Sequence, residues 1–138
     1  CVPGLGGALG TRSSAIFDID DDGDPDIVTN DFNSEPMVLV SDLSDKKQIR
    51  WLKIALVGNK SNRDGLGSRI VLTTDAQTLT RAHDGKSGYL SQSRMPLYFG
   101  LGDANEVARI EIHWISGARQ TIEGPLELNR LHVIKEPG

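Results

Sequence analysis

Short runs in which apolar and polar residues alternate recur along much of the chain. Two runs show the alternation most clearly, over residues 50–56 and 107–114. Their apolar positions are Leu52, Ile54, Leu56, Ile110, Ile112 and Trp114. A period of two is typical of a β-strand that buries one of its faces. We therefore predict half-buried antiparallel strands at both places.

Further runs that are rich in β-branched and aromatic residues, each bounded by turn residues, predict more strands. They cover residues 15–17, 27–29, 37–40, 69–74, 78–83, 97–100, 120–123 and 131–135. No run keeps a helical period over three turns. Several strands at fairly regular spacing predict an all-β fold, an antiparallel β-sandwich. Trp51 and Trp114 occupy strand positions, and both are expected in its core.

Six aspartates lie within nine positions between two of the predicted strands, over residues 18–26. So many like charges at one turn repel one another unless a cation or full solvation relieves them. Their alternate spacing matches positions 1, 3, 5, 7 and 9 of a calcium loop, and Gly23 matches the turn glycine at position 6. The predicted ligands are Asp18, Asp20, Asp22, Asp24 (through its carbonyl) and Asp26.

This loop differs in two respects from the helix–loop–helix calcium motif. Position 12 is Thr29 where that motif has a bidentate Glu, and the flanking runs predict strands instead of helices. We therefore predict a calcium-loop β-hairpin at the N-terminal end. A solvated acidic turn without metal is the alternative, and bracing the turn is the expected role of the ion.

Composition adds little that is specific beyond the acidic loop. A hydrophobic content of 38% with 25% charged residues is typical of globular proteins, and no apolar run is long enough to span a membrane. The net charge of −4 arises from the loop, because acidic and basic residues nearly balance elsewhere. Since the basic residues are scattered, nucleic acid is not expected as a partner.

The chain is expected to have two parts. A polar run over residues 41–48 separates the acidic hairpin from the later strands, which predicts a division into residues 1–45 and 46–138. An isolated hairpin is not stable in water, so the first part should pack on the sandwich, on preceding repeats, or on both. Cys1, the one cysteine, excludes an internal disulfide; it could carry a lipid or mark where a longer chain was cut.

The order of the motifs resembles an FG-GAP or VCBS-type repeat followed by an ASPIC/UnbV domain. The repeat is matched by residues 17–27, which hold the acidic loop. The ASPIC/UnbV resemblance rests on residues 50–52, 61–69, 88–93, 99–102, 112–117 and 129–130. Each motif is weakly specific alone, but their common order is specific.

This resemblance implies a secreted or cell-surface protein in which calcium-binding repeats form a β-propeller. One such repeat is present here, so the chain is expected to be the C-terminal part of a longer protein and its first 45 residues a partial propeller-type repeat. We predict a non-enzymatic, calcium-stabilised extracellular module for adhesion or recognition. Its partner would be an extracellular protein or a glycan.

Two loops rich in hydrogen-bonding groups are candidate recognition sites. One carries Asn62, Arg63 and Asp64, and the other carries Tyr89 and Gln92. These side chains could bind a carbohydrate, with Tyr89 stacked on a sugar ring, or could close their own turns. An accessory domain of a biosynthetic enzyme system is a further alternative. No catalytic residues are predicted, since the chain lacks a G-x-S-x-G elbow and a metal-binding histidine pair.

Overall fold

The computed structural model describes residues 10–138, so the predictions about Cys1 lie outside the described residues. In this part of the chain the regular structure is almost entirely β. One short helix, α1, covers Leu43–Lys46. The strands are β1 (Thr11–Phe17), β2 (Asp26–Asp31), β3 (Met37–Leu39), β4 (Trp51–Val57), β5 (Arg69–Thr74), β6 (Thr78–Ala82), β7 (Leu97–Gly100), β8 (Val107–His113), β9 (Arg119–Leu126) and β10 (Leu131–Lys135).

A strand is found at every position where one is predicted. The bounds of β5, β7 and β10 coincide with the predicted ones. β1 and β9 extend further than predicted, because their added residues pair with neighbouring strands without showing an apolar alternation. Pairing between backbones does not require an apolar side chain, so such extensions leave no pattern in the sequence.

The described chain divides into two compact units. The first comprises residues up to Lys47 together with the segment Lys86–Ser93, and the second comprises Gln48–Gly85 and Arg94–Gly138. The segment Lys86–Ser93 lies in the predicted second domain by position in the sequence, yet it packs with the first unit. The chain therefore leaves the first unit, returns to it once, and leaves it again.

The second unit is a β-sandwich of two sheets, with strand orders β10-β4-β7 and β6-β5-β8-β9. The predicted all-β sandwich is confirmed. Its buried apolar side chains come from both sheets and from the loops after β7 and β8. They form one cluster: Leu52, Ile54, Leu56, Ile70, Leu72, Phe99, Leu101, Ala104, Val107, Ile110, Ile112, Trp114 and Ile134.

The predicted alternation in β4 and β8 is confirmed, because the expected inward side chains are all buried. Trp114 is also in the core, with 3% of its surface exposed. The prediction that Trp51 is a core residue is wrong, since it is half-buried on the opposite face of β4. Successive residues of a strand point to opposite faces, so the inward position of Leu52 turns Trp51 outward.

One strand pair departs from a purely antiparallel arrangement. β10 runs parallel to β4, with Leu131 opposite Lys53 and Lys135 opposite Val57. β10 follows β9, which belongs to the other sheet, so the chain crosses between sheets before it pairs. A strand that arrives by a crossover is not held to the antiparallel direction of a hairpin.

The first unit contains the antiparallel sheet β1-β2-β3, and the segment Lys86–Ser93 covers the edge of β1. The amide of Ser14 donates to the carbonyl of Ser87 at 3.1 Å, and the amide of Tyr89 donates to the carbonyl of Arg12 at 2.7 Å. The unpaired edge of β1 is thus closed by a short piece of chain that arrives from between β6 and β7.

The buried residues described in the first unit are mostly polar, whereas those of an ordinary domain are mostly apolar. Among its described residues the buried ones are Gly23, Asp24, Asp26 and Thr29. None of its described large apolar side chains is buried, and several are exposed, for example Ile16 at 62% and Val40 at 57%. The interior of this unit is therefore polar and lies in and beside the acidic loop.

Candidate functional site

The acidic loop connects β1 to β2, and its two ends are adjacent because Phe17 pairs with Asp26. Its sharp turn requires backbone in the left-handed region. Gly23 has φ +96° and Asp21 has φ +62°, conformations that Gly adopts freely and Asp tolerates. The amide of Gly23 donates to Oδ2 of Asp18 at 3.0 Å, which folds the turn back over its first residue.

Three of the five predicted ligands converge. Asp18, Asp20 and Asp22 place one carboxylate oxygen each within 4.8 Å of one another. Desolvation and then the charges of Asp22 and Asp26 raise the pKa of Asp20. A hard divalent cation such as Ca²⁺ binds several carboxylate oxygens at once, so this group is the candidate metal centre.

Asp24 and Asp26 lie outside that group of three, and each is 1% exposed. Asp26 accepts hydrogen bonds from the amides of Ile19 at 2.7 Å and Ser41 at 2.8 Å, so it braces the loop. Asp24 accepts the amide of Ser44 through Oδ2 at 2.8 Å, whereas its buried Oδ1 has no hydrogen-bond partner. An unpaired buried carboxylate oxygen is unfavourable, and a cation in the loop would relieve it.

Two serines beyond β3 donate further hydrogen bonds to the loop. Ser44 donates its hydroxyl to Asp22 as well as its amide to Asp24, and Ser41 donates its amide to Asp26. The hydroxyl of Ser44 and then the amide of Asp24 lower the pKa of Asp22. The sequence carries no motif for these two serines, because they stand far along the chain from the aspartates that they contact.

The first predicted recognition loop largely closes on itself. The amide group of Asn62 donates to the carbonyl of Leu66 at 2.7 Å and accepts the Leu66 amide at 2.8 Å. Asp64 forms an ion pair with Arg94 at 3.3 Å, and the Arg63 side chain is exposed. The contacts of Asn62 and Asp64 are those of residues that hold a turn.

The second predicted recognition loop belongs to the first unit, whereas Asn62, Arg63 and Asp64 belong to the second. Tyr89 is 62% exposed, and the Arg12 guanidinium carbon lies 5.5 Å from its ring centroid and 4.6 Å from that of Phe32. Gln92 pairs with Lys86 in an isolated β-bridge. Tyr89 is thus an exposed aromatic residue beside a cation, and Gln92 helps to close its loop.

A buried carboxylate in the second unit organises the loop after β4. Glu136 is 5% exposed, and its Oε2 accepts the amides of Asn59, Lys60 and Ser61 at 2.7, 2.8 and 2.7 Å. Its Oε1 accepts the hydroxyls of Ser61 and Ser116 at 2.8 and 2.5 Å. Burial raises the pKa of Glu136, but these hydrogen bonds outweigh it and lower the pKa from 4.5 to about 2.

The family model described as ASPIC and UnbV matches residues 58–138, which is more than half of the chain. The chain therefore belongs to the ASPIC/UnbV family. No curated protein matches it. In the described part of the chain, no helix has the length and apolar character needed to cross a membrane.

Proposed function

We propose that this chain is a calcium-stabilised, non-enzymatic extracellular β module used for adhesion or recognition. The observation that carries the proposal is the convergence of Asp18, Asp20 and Asp22 in a loop whose Asp24 also has a buried Oδ1 without a hydrogen-bond partner. All of these donors are oxygens, the atoms that Ca²⁺ and Mg²⁺ prefer. An irregular loop suits Ca²⁺ better, because Mg²⁺ requires a nearly ideal octahedron.

The polar interior of the first unit supports a stabilising role for the ion. Among its residues from Gly10 onward, the buried ones are in or next to the acidic loop, so apolar burial supplies little stability in this part. An ion that binds the folded form alone adds stability by mass action, about 2.7 kcal/mol at one hundred times the Kd. Extracellular modules bind Ca²⁺ with Kd values on the order of 0.1–1 mM, so a modest site is sufficient outside the cell.

Exposed apolar residues on both faces of the sheet β1-β2-β3 support a second part of the proposal. In the central strand, neither Ile27 nor Val28 is buried, although they point to opposite faces. Ile16, opposite Ile27, is 62% exposed, and Val38, opposite Val28, is 51% exposed. A sheet that is apolar on both faces needs neighbours on both. We propose that this FG-GAP or VCBS-type repeat packs on preceding repeats of a longer, secreted or cell-surface protein.

Thermal unfolding with and without calcium tests the metal centre. Saturating Ca²⁺ should raise the melting temperature of the wild type, and a chelator should reverse the rise. Asp20→Asn removes a ligand and should abolish the rise. Asp21→Asn is the matched control, because it removes one negative charge at the adjacent position and Asn tolerates the φ of +62° there. The calcium-dependent rise in melting temperature should persist in this variant. A wild type that melts alike in calcium and in chelator would refute the proposal.

A further inference from the structure

The outward face of the sheet β10-β4-β7 is unusually apolar for a sheet face that meets solvent. The solvent face of an antiparallel-type sheet is normally polar, because only the other face packs on the core. Here Val133 is 58% exposed and Leu131 is 44% exposed. We call this surface the outer aromatic face. It consists of the outward side chains of Trp51, Lys53, Tyr98, Leu131, Val133 and Lys135.

Two aromatic rings on this face stack on each other. The rings of Trp51 and Tyr98 are 21° from parallel, with centroids 6.2 Å apart. Gly100 stands directly opposite Trp51, and a Cβ on Gly100 would lie 3.6 Å from Cε1 of Tyr98. The Tyr98 ring therefore lies along its own strand, over Gly100 and next to Trp51. The ring faces of such a pair that are turned away from each other are suited to stacking against the C–H groups of sugar rings.

The charges on the outer aromatic face are all positive. Lys53 places its Nζ 4.6 Å from the centroid of the Trp51 ring, and Lys135 ends β10 on the same face. Among the outward residues of β4, β7 and β10, all of which the structure describes, none is acidic. The face is therefore complementary to an anionic ligand.

The length of the face sets the size of that ligand. Lys135 pairs with Val57, which follows Trp51 by six positions along β4. At the rise of a β-strand this separates the two ends of the face by about 20 Å. A single sugar cannot contact both ends, whereas a chain of several sugars can.

We propose that the outer aromatic face binds an acidic polysaccharide. Sugar rings stack on Trp51 and Tyr98, and carboxylate groups along the chain pair with Lys53 and Lys135. This inference specifies the ligand of the recognition role proposed above and rests on that role. Every residue of the face belongs to the second unit, so its binding does not use the acidic loop.

Intrinsic fluorescence and calorimetry with two matched oligosaccharides test the inference on the full chain. The probes are a hexamer of β-1,4-linked glucuronate and cellohexaose, which has the same backbone without the carboxylates. The chain has two tryptophans, and Trp114 is 3% exposed, so a change in fluorescence reports on Trp51. The wild type should bind the charged hexamer saturably and cellohexaose about tenfold more weakly.

Substitutions on the face and away from it sharpen the test. Tyr98→Ala and Lys53→Gln should each weaken binding of the charged hexamer by about tenfold without changing the fold. Trp51→Phe should still bind the charged hexamer in calorimetry, but its tryptophan fluorescence should no longer change on binding. Phe32→Ala and Lys60→Gln, which alter an exposed aromatic and an exposed lysine elsewhere, are the controls and should bind as the wild type does.

Four outcomes would overturn the inference. The first is that the wild type does not bind the charged hexamer, and the second is that it binds both hexamers equally. The third is that Tyr89→Ala loses binding whereas Tyr98→Ala keeps it. The fourth is that the wild type binds anionic phospholipid vesicles but not the hexamer. A wild type that binds the hexamer but melts alike in calcium and chelator would refute the metal centre alone. Calcium-dependent melting without sugar binding would refute this inference alone.

Discussion

Three buried carboxylates in the described part of the chain differ in how many hydrogen bonds they accept. Glu136 accepts five hydrogen bonds from the protein, and Asp26 accepts one at each oxygen. Asp24 leaves one buried oxygen without a partner. The two better-compensated carboxylates are structural anchors, whereas Asp24, by our proposal, depends on the bound ion.

Replacement of Glu136 by Gln should change the acid stability of the protein. The folded pKa of about 2 lies below the ordinary 4.5, so the carboxylate contributes stability above pH 4.5 that is lost as the pH falls towards 2. Glu136→Gln should therefore lower the melting temperature at pH 7 by about 5 °C or more and flatten its decline between these pH values. Thermal unfolding across this range measures both effects.

The exposed carboxylate of Glu123 offers the matched control. Glu123→Gln should leave both the melting temperature at pH 7 and the acid decline close to those of the wild type. An acid decline in Glu136→Gln as steep as that of the wild type would contradict the assigned role of Glu136.

Elements are held together in the first unit by the segment Lys86–Ser93, and Gly88 makes its close approach to β1 possible. Gly88 has φ +122° and forms an isolated antiparallel bridge with Ser13. A Cβ at this position would lie 2.6 Å from Cα of Ser13 and 2.8 Å from the carbonyl oxygen of Arg12. Only a residue without a side chain fits against the backbone there.

Gly88→Ala should detach this segment from β1. Strain at the positive φ and the clash together should speed hydrogen exchange at the amides of Ser14 and Tyr89 by about tenfold or more. Gly117→Ala is the control: it has φ +91° but no atom within 4 Å of its Cβ position, and it should leave these two amides protected. Unchanged exchange at both amides in Gly88→Ala would show that the contact is not needed.

The whole molecule combines two units with opposite kinds of interior. The buried apolar cluster lies entirely in the second unit, and the described buried residues of the first are in or beside the acidic loop. Stability in the second unit therefore follows from apolar burial, the dominant favourable term in folding. In the first unit it depends on hydrogen bonds and, by our proposal, on an ion.

Removal of calcium should consequently affect the two units unequally. A chelator should speed hydrogen exchange in the first unit, at amides such as those of Gly23, Ser41 and Ser44, which donate to the aspartates. Amides of the core strands β4 and β8 should keep their protection. Exchange followed residue by residue in calcium and in chelator measures this, and equal acceleration in both units would contradict it.

Much of this organisation can be predicted from the sequence, because apolar alternation and aspartate spacing are local patterns. The strands, the sandwich and the convergence of Asp18, Asp20 and Asp22 follow from them. Contacts between distant residues leave no such pattern. The five donors to Glu136, the parallel pairing of β10 and the outward position of Trp51 depend on which segments meet in space, so none could be predicted.

The return of the chain to the first unit has a consequence for its synthesis. The strands β1, β2 and β3 leave the ribosome well before Lys86–Ser93, the segment that closes the edge of β1. Nascent chains emerge at about 5–20 residues per second, so this edge stays open for seconds while later strands are translated. An open edge invites pairing with other chains, and during that interval newly made copies on one polysome are most exposed to mispairing.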